Sequence, residues 1–194
     1  NAPVITSIPE GTTGNREYTA VYNNGEVSYT VYHYLENAND TGYTLYNKEV
    51  RAAQTNDIIT LSKDMVGIAV PNATFEKASD TENGNQGITV TVQADSTTEV
   101  FVYYKRNTFT LNVVAGSNID SVGINEGTEK EITLKYGQTA NINASVAALS
   151  GYTYSNFRWE TADTSVLSST TDKTPTVTMP AVNTTITAVA DRTV

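Results

Sequence analysis

The chain has 194 residues and no cysteine. Disulfides, thiolate nucleophiles and cysteine-based zinc sites are excluded together. The compartment stays open, because a secreted domain of this size does not need disulfides. Histidine occurs once, as His33, so a Ser–His–Asp triad or a histidine metal centre would have to be built on it. It alternates with Val31 and Leu35, which points it toward a core or to a core's edge, and a structural role is the simpler reading. Cationic residues are scarce. There are 12 Lys and Arg against 21 Asp and Glu, for a net charge of −9 and a pI near 4.5. That argues against the concentrated basic face needed to bind nucleic acid or an anionic membrane. No apolar run approaches the roughly 18 residues of a membrane span. Runs of Ala, Leu, Glu and Lys are absent, so long helices are not expected.

Present instead are Thr, Ser, Asn, 12 Tyr and 12 Gly, a strand-and-turn composition. The clearest stretch is Glu99 to Val113. Val100, Val102 and Tyr104 share one face of a strand, and Phe101 and Tyr103 the other. After Lys105 to Thr108, the residues Phe109, Leu111 and Val113 alternate with Thr110 and Asn112. Two period-2 segments with almost no linker predict the last strand of one module running into the first strand of the next. The expected fold class is therefore mostly β, in tandem small modules, with segments 1–26, 27–106 and 107–194.

In 1–26, Val4 to Ile8 and Glu17 to Tyr22 predict a hairpin too small to stand alone. The chain starts in what reads as mid-module, so a piece of a longer protein is expected, with its targeting signals elsewhere. In 27–106, strands are predicted at Val27–Glu36 and Tyr43–Ala53 as hairpin partners, and at Ala73–Lys77. Ile58 to Val66 suits one helical turn or a short strand. Gly87–Gln93 and Thr98–Tyr104 are expected to form a hairpin around Ala94–Thr97. In 107–194, strands are predicted at Thr108–Ala115, Lys130–Lys135, Thr139–Ala147, Thr153–Thr161, Thr174–Met179 and Thr184–Ala190. Tyr152 and Tyr154 differ in parity from Phe157 and Trp159, so burying all four demands a bulge near Ser155–Asn156.

Three resemblances follow from particular residues. Ile5 to Gly14 with Tyr18 to Tyr22 resembles the end of a Listeria–Bacteroides repeat. Tyr29 to Asn37, Gly42 to Leu45 and Val100 to Asn107 resemble the MucBP-type repeat of Gram-positive surface proteins. Phe109 to Val113, Tyr136 to Thr139, Gly151 to Tyr154, Trp159, Thr178 to Ala181 and Thr184 to Ala188 are similar to the divergent InlB B-repeat. These resemblances imply a β-grasp-like module over 27–106, then a β-sandwich-like or β-grasp-like repeat over 107–194. They also imply a secreted, cell-wall-associated bacterial surface protein. A monomeric, non-catalytic stalk in an adhesin is the first functional expectation. The alternative is a ligand-binding module for mucin, host glycans or matrix proteins.

Candidate sites are few. Tyr29, Tyr32, Tyr34, Tyr43, Tyr46, Tyr103 and Tyr104 form clusters, and exposed tyrosine stacks on sugars or holds a protein partner. Tyr32, Tyr34, Tyr43 and Tyr46 are the candidate ligand-binding residues. The competing reading has half of these rings facing the core and the rest covering the sheet as cross-strand pairs. The oxygen-rich stretches Asn37–Gly42 and Asp80–Asn85 suit turns, and neither has the ligand spacing of an EF-hand. No paired carboxylates, phosphate loop or nucleophile–base pair is apparent, so no enzyme, cofactor or metal is expected. Lys48 and Lys135 are the only lysines suggesting burial on an apolar strand face, the setting an isopeptide cross-link needs.

Overall fold

A computed structural model describes residues 10, 11, 13–15, 25–65 and 67–194. The hairpin expected within 1–26 lies outside the described residues. The chain is mostly β. The first group of strands comprises β1 (Glu26–Glu36), β2 (Tyr43–Gln54), β3 (Ile58–Thr60), β4 (Ala73–Ser79), β5 (Thr89–Thr91) and β6 (Glu99–Arg106). The second comprises β7 (Thr108–Ala115), β8 (Ile119–Ile124), β9 (Glu131–Lys135), β10 (Thr139–Val146), β11 (Thr153–Glu160), β12 (Thr176–Thr178) and β13 (Thr184–Thr193). Short 3-10 turns occur at Lys63–Met65 and Thr164–Val166.

The first group makes a four-stranded sheet ordered β2-β1-β6-β4 and a small β3-β5 ribbon. In the larger sheet the central pair, β1 and β6, is parallel, and both outer pairs are antiparallel. The second group repeats that arrangement as β11-β13-β7-β9, with β13 and β7 parallel at the centre, and adds a β12-β10-β8 sheet. In each block the first strand lies beside the last. Asn107 alone separates β6 from β7, and no strand ladder among the described residues crosses it.

Alternation explains which faces are buried. On β1, Tyr29, Val31 and His33 face a core shared with Val100, Val102 and Tyr104 of β6. Phe101 and Tyr103 of β6 are buried on the opposite face, the pattern of a central strand covered on both sides. A separate core in the second block gathers Leu111, Val113, Ile142, Trp159, Met179 and Ile186. The bulge foreseen in β11 is present. Its register shifts between Ser155 and Arg158, and Asn156 takes φ 50°. The shift buries Trp159, whose indole N–H donates to Asp172 O at 2.7 Å, and half-buries Phe157, while Tyr152 stays exposed.

Two expectations are corrected. The Gly87–Gln93/Thr98–Tyr104 hairpin does not form: β5 pairs with β3, and β6 pairs with β1 and β4. A strand apolar on both faces takes the sheet centre, where both of its edges are occupied by longer strands. Strand β8 lies where no strand is predicted, and its Asp120 and Gly123 are residue types depleted in strands. Gly123 is needed there, since a Cβ at this position would overlap the Gly127 carbonyl and the Asn143 side chain.

Candidate functional site

The four candidate tyrosines lie on β1 and β2, and three of them are already engaged. Tyr32 stacks on Phe101 at 5.2 Å between ring centroids, and its hydroxyl donates to Glu99 at 2.9 Å. The Lys48 ammonium lies 4.8 Å over the Tyr32 ring. Tyr34 stacks on Tyr103 at 5.4 Å and donates to Glu82 at 2.7 Å. Tyr43 meets Tyr103 edge-on at 5.1 Å and donates to Glu76. The Tyr34 pKa is pushed up to about 12, first by the bond to Glu82 and then by burial. Tyr43 is raised by burial and by Glu76. Each such ring pair is worth about 0.5–1.5 kcal/mol beyond area burial, so the rings build a second apolar layer on the outer face of the sheet. Tyr46 is the exception, with 47% of its surface exposed.

His33 is fully buried on the other face. One ring nitrogen bonds the Tyr104 hydroxyl at 2.8 Å and the other meets Glu49 at 2.9 Å. Glu49 also accepts from Arg51 Nε at 3.0 Å, and Arg51 donates to the Met65 carbonyl at 2.8 Å. Burial alone would raise the Glu49 pKa, but the bonds from His33 and Arg51 hold it below the usual carboxylate range. Burial pushes the Tyr104 hydroxyl up to about 12. The chain Tyr104–His33–Glu49 has the order of a proton relay, but both ring nitrogens are spent inside the core. It satisfies buried polar groups.

Both oxygen-rich loops bond to themselves and then to a lysine. In Asn37–Gly42, the Asp40 carboxylate accepts from the Asn37 side chain and the Gly42 N–H, at 2.8 and 2.7 Å. These bonds lower the Asp40 pKa, the one from Asn37 most. The outward carbonyls of Asn37 and Asp40 accept from Lys135 Nζ at 3.3 and 2.9 Å. Lys135 completes its three donors with Glu36, 2.8 Å away. In the second loop, Lys77 Nζ donates to Gly84 O at 2.6 Å and sits 4.9 Å over the Tyr103 ring. The cation that such loops favour is thus an ammonium of the chain itself.

Lys135 lies on β9, across the joint from the Asn37–Gly42 loop. The joint also uses Asn39, whose side-chain oxygen accepts from the Thr139 N–H at 2.9 Å. Arg106 Nε donates to Glu36 O at 2.6 Å, and another Arg106 nitrogen donates to Tyr136 O at 3.3 Å. Sequence reasoning singled out Lys135 and the Asn37–Gly42 stretch for different reasons and assigned no role to Glu36 or Arg106. The adjacency of β6 and β7 was the signal that some contact across Asn107 had to exist.

Two concavities lie on the surface of the described residues. One of about 780 Å³ lies along Glu26–Ser28, Ala52–Gln54, Asp57 and Ser96. The Asp57 carboxylate there accepts from the Gln54 N–H at 2.8 Å. The other, about 530 Å³, lies beside the β11 bulge and is lined by Tyr152, Tyr154, Phe157, Lys173 and neighbours. Among the described residues, no three His, Asp or Glu side chains gather as a metal site. Comparisons with protein-family models, curated proteins and solved structures give no match.

Proposed function

We propose that this chain is a non-catalytic spacer from the stalk of a secreted, cell-wall-associated bacterial surface protein. In this reading 27–106 is a MucBP-like, β-grasp-like module and 107–194 a divergent InlB B-repeat-like module. Each buries its own core, and the stalk holds a distal adhesive part away from the cell surface. The observation that carries the reading is the joint. A single residue separates the blocks, and Lys135 with Glu36, Arg106 with Tyr136, and Asn39 with Thr139 fasten them across it. A loosely tethered pair would need none of these contacts, whereas a stiff rod depends on them.

The ligand-binding alternative draws on Tyr32, Tyr34, Tyr43 and Tyr46. The first three have hydroxyls bonded to Glu99, Glu82 and Glu76, which leaves Tyr46 as the ring offered to solvent. Titration of the labelled chain with mucins, a glycan panel and matrix proteins separates the readings. The spacer reading expects no saturable binding. Saturable binding abolished by Tyr46→Ala would replace it with the binding module.

A further inference from the structure

We infer that each block is a mechanical clamp that resists tension by shear, and that the first clamp is the stronger. The inference goes beyond the spacer reading, because it needs only the strand pairing and holds for a chain in any location. Tension enters the first block at the start of β1 and leaves at the end of β6. These two strands are adjacent and parallel, in register from Thr30↔Glu99 to Leu35↔Tyr104. Pulling one backward from its start and the other forward from its end slides them along their shared axis. All the bonds of the ladder are then loaded at once. An antiparallel first–last pair would instead carry its tension at one end and open bond by bond. The second block has the same geometry, with β7 and β13 parallel from Leu111↔Thr184 to Ala115↔Ala188. Asn107 passes the load between them in series.

The two clamps differ in their side chains. Across β1 and β6, Tyr32 and Tyr34 stack on Phe101 and Tyr103, Tyr32 bonds Glu99, and His33 bonds Tyr104. Arg106 closes the far end by donating to the Glu36 carbonyl. Every one of these contacts must break for β1 to slide. Across β7 and β13, no aromatic pair is present among the described residues; Asn183, just before β13, accepts the Thr110 N–H at 2.9 Å at the entrance, and the registered residues of β13 are Thr184, Thr185, Ile186, Thr187 and Ala188. Tyr32 and Tyr34, two of the four residues that look like a ligand site, are cross-braces of the load-bearing pair.

Single-molecule pulling tests this, and the absence of cysteine makes handle placement clean. Handles at Glu26→Cys and Asn107→Cys load β1 against β6 in shear. Handles at Glu26→Cys and Thr97→Cys pull apart the neighbouring starts of the same strands. Forced unfolding reports the barrier rather than the equilibrium, and the shear geometry is expected to need several-fold more force. Equal forces would overturn the clamp and leave the spacer reading untouched. Pulled end to end, the chain is expected to give a weaker and a stronger event. Tyr32→Ala with Tyr34→Ala should lower only the stronger, and Tyr46→Ala neither. A double variant that leaves the stronger event unchanged, or lowers the weaker one, would overturn the ranking of the clamps.

Discussion

The two blocks share one strand arrangement and fill it differently. In each, the first and last strands run parallel at the centre of a four-stranded sheet, with antiparallel neighbours outside. The first block covers both faces of its last strand, using aliphatic residues, Tyr104 and His33 on one side and a layer of tyrosines on the other. The second keeps a single core, with Trp159 at its bulged edge and threonine along β13. Topology therefore decides how each block carries load, and side chains decide how much. The difference also separates their chemistry: the hydroxyls raised by burial and by acidic partners belong to the first block.

Removing a ring from the first block should unfold it alone. Tyr103 is 1% exposed, touches Tyr34 and Tyr43, and accepts the Asn83 N–H at 2.7 Å. Tyr103→Ala should cost about 3–5 kcal/mol. The only tryptophan, Trp159, lies in the second block, so its fluorescence reports that block by itself and should keep its unfolding midpoint. A shift of the Trp159 transition by the same amount would mean that the blocks unfold as one unit.

Alkaline pH should make the same distinction. Tyr34, Tyr43 and Tyr104 hold their protons more tightly when folded. Their contribution is complete below the free tyrosine value of about 10. It is lost as pH rises toward the folded values of about 12 for Tyr34 and Tyr104. Amide signals of 26–106 should collapse over that range before those of 108–193. At the acid end the sign reverses. The depressed Glu49 carboxylate stabilises the first block above the free glutamate value of about 4.3, and that support disappears as pH falls through the lower folded value.

Smaller effects are expected at the joint and least at the surface. Lys135→Met leaves Glu36 and two carbonyls without their charged donor and should cost about 1–3 kcal/mol, the scale of bonds to a charged group. Calorimetry should show a lower midpoint than in the unchanged chain. Tyr46→Ala should shift stability by less than about 0.5 kcal/mol.

Local pattern made much of this fold legible. The parity of Tyr152 and Tyr154 against Phe157 and Trp159 pointed to a bulge on the condition that all four rings are buried; the bulge is there although Tyr152 is exposed. The alternation around His33 pointed it to a core or its edge, and it is fully buried. The continuity from Glu99 to Val113 located the joint. What sequence did not yield was pairing between distant strands. Nothing local sets β6 beside β1 rather than β5, because that choice depends on which edges remain free once β2 has paired. Gly123 concealed β8, since a glycine required by a close carbonyl looks the same as one required by a turn. The tyrosines were visible as clusters, but their partners Glu82, Glu76 and Glu99 lie 33 to 67 residues away in sequence.

Stiffness across Asn107 is the property on which the spacer account turns. Spin labels at Val50→Cys and Val182→Cys, positions 65% and 60% exposed on opposite sides of the joint in sequence, measure it by pulsed electron resonance. The account predicts one narrow distance distribution for the chain and a broad one once Lys135→Met and Asn39→Ala are added. A distribution already as broad without those two changes would contradict it.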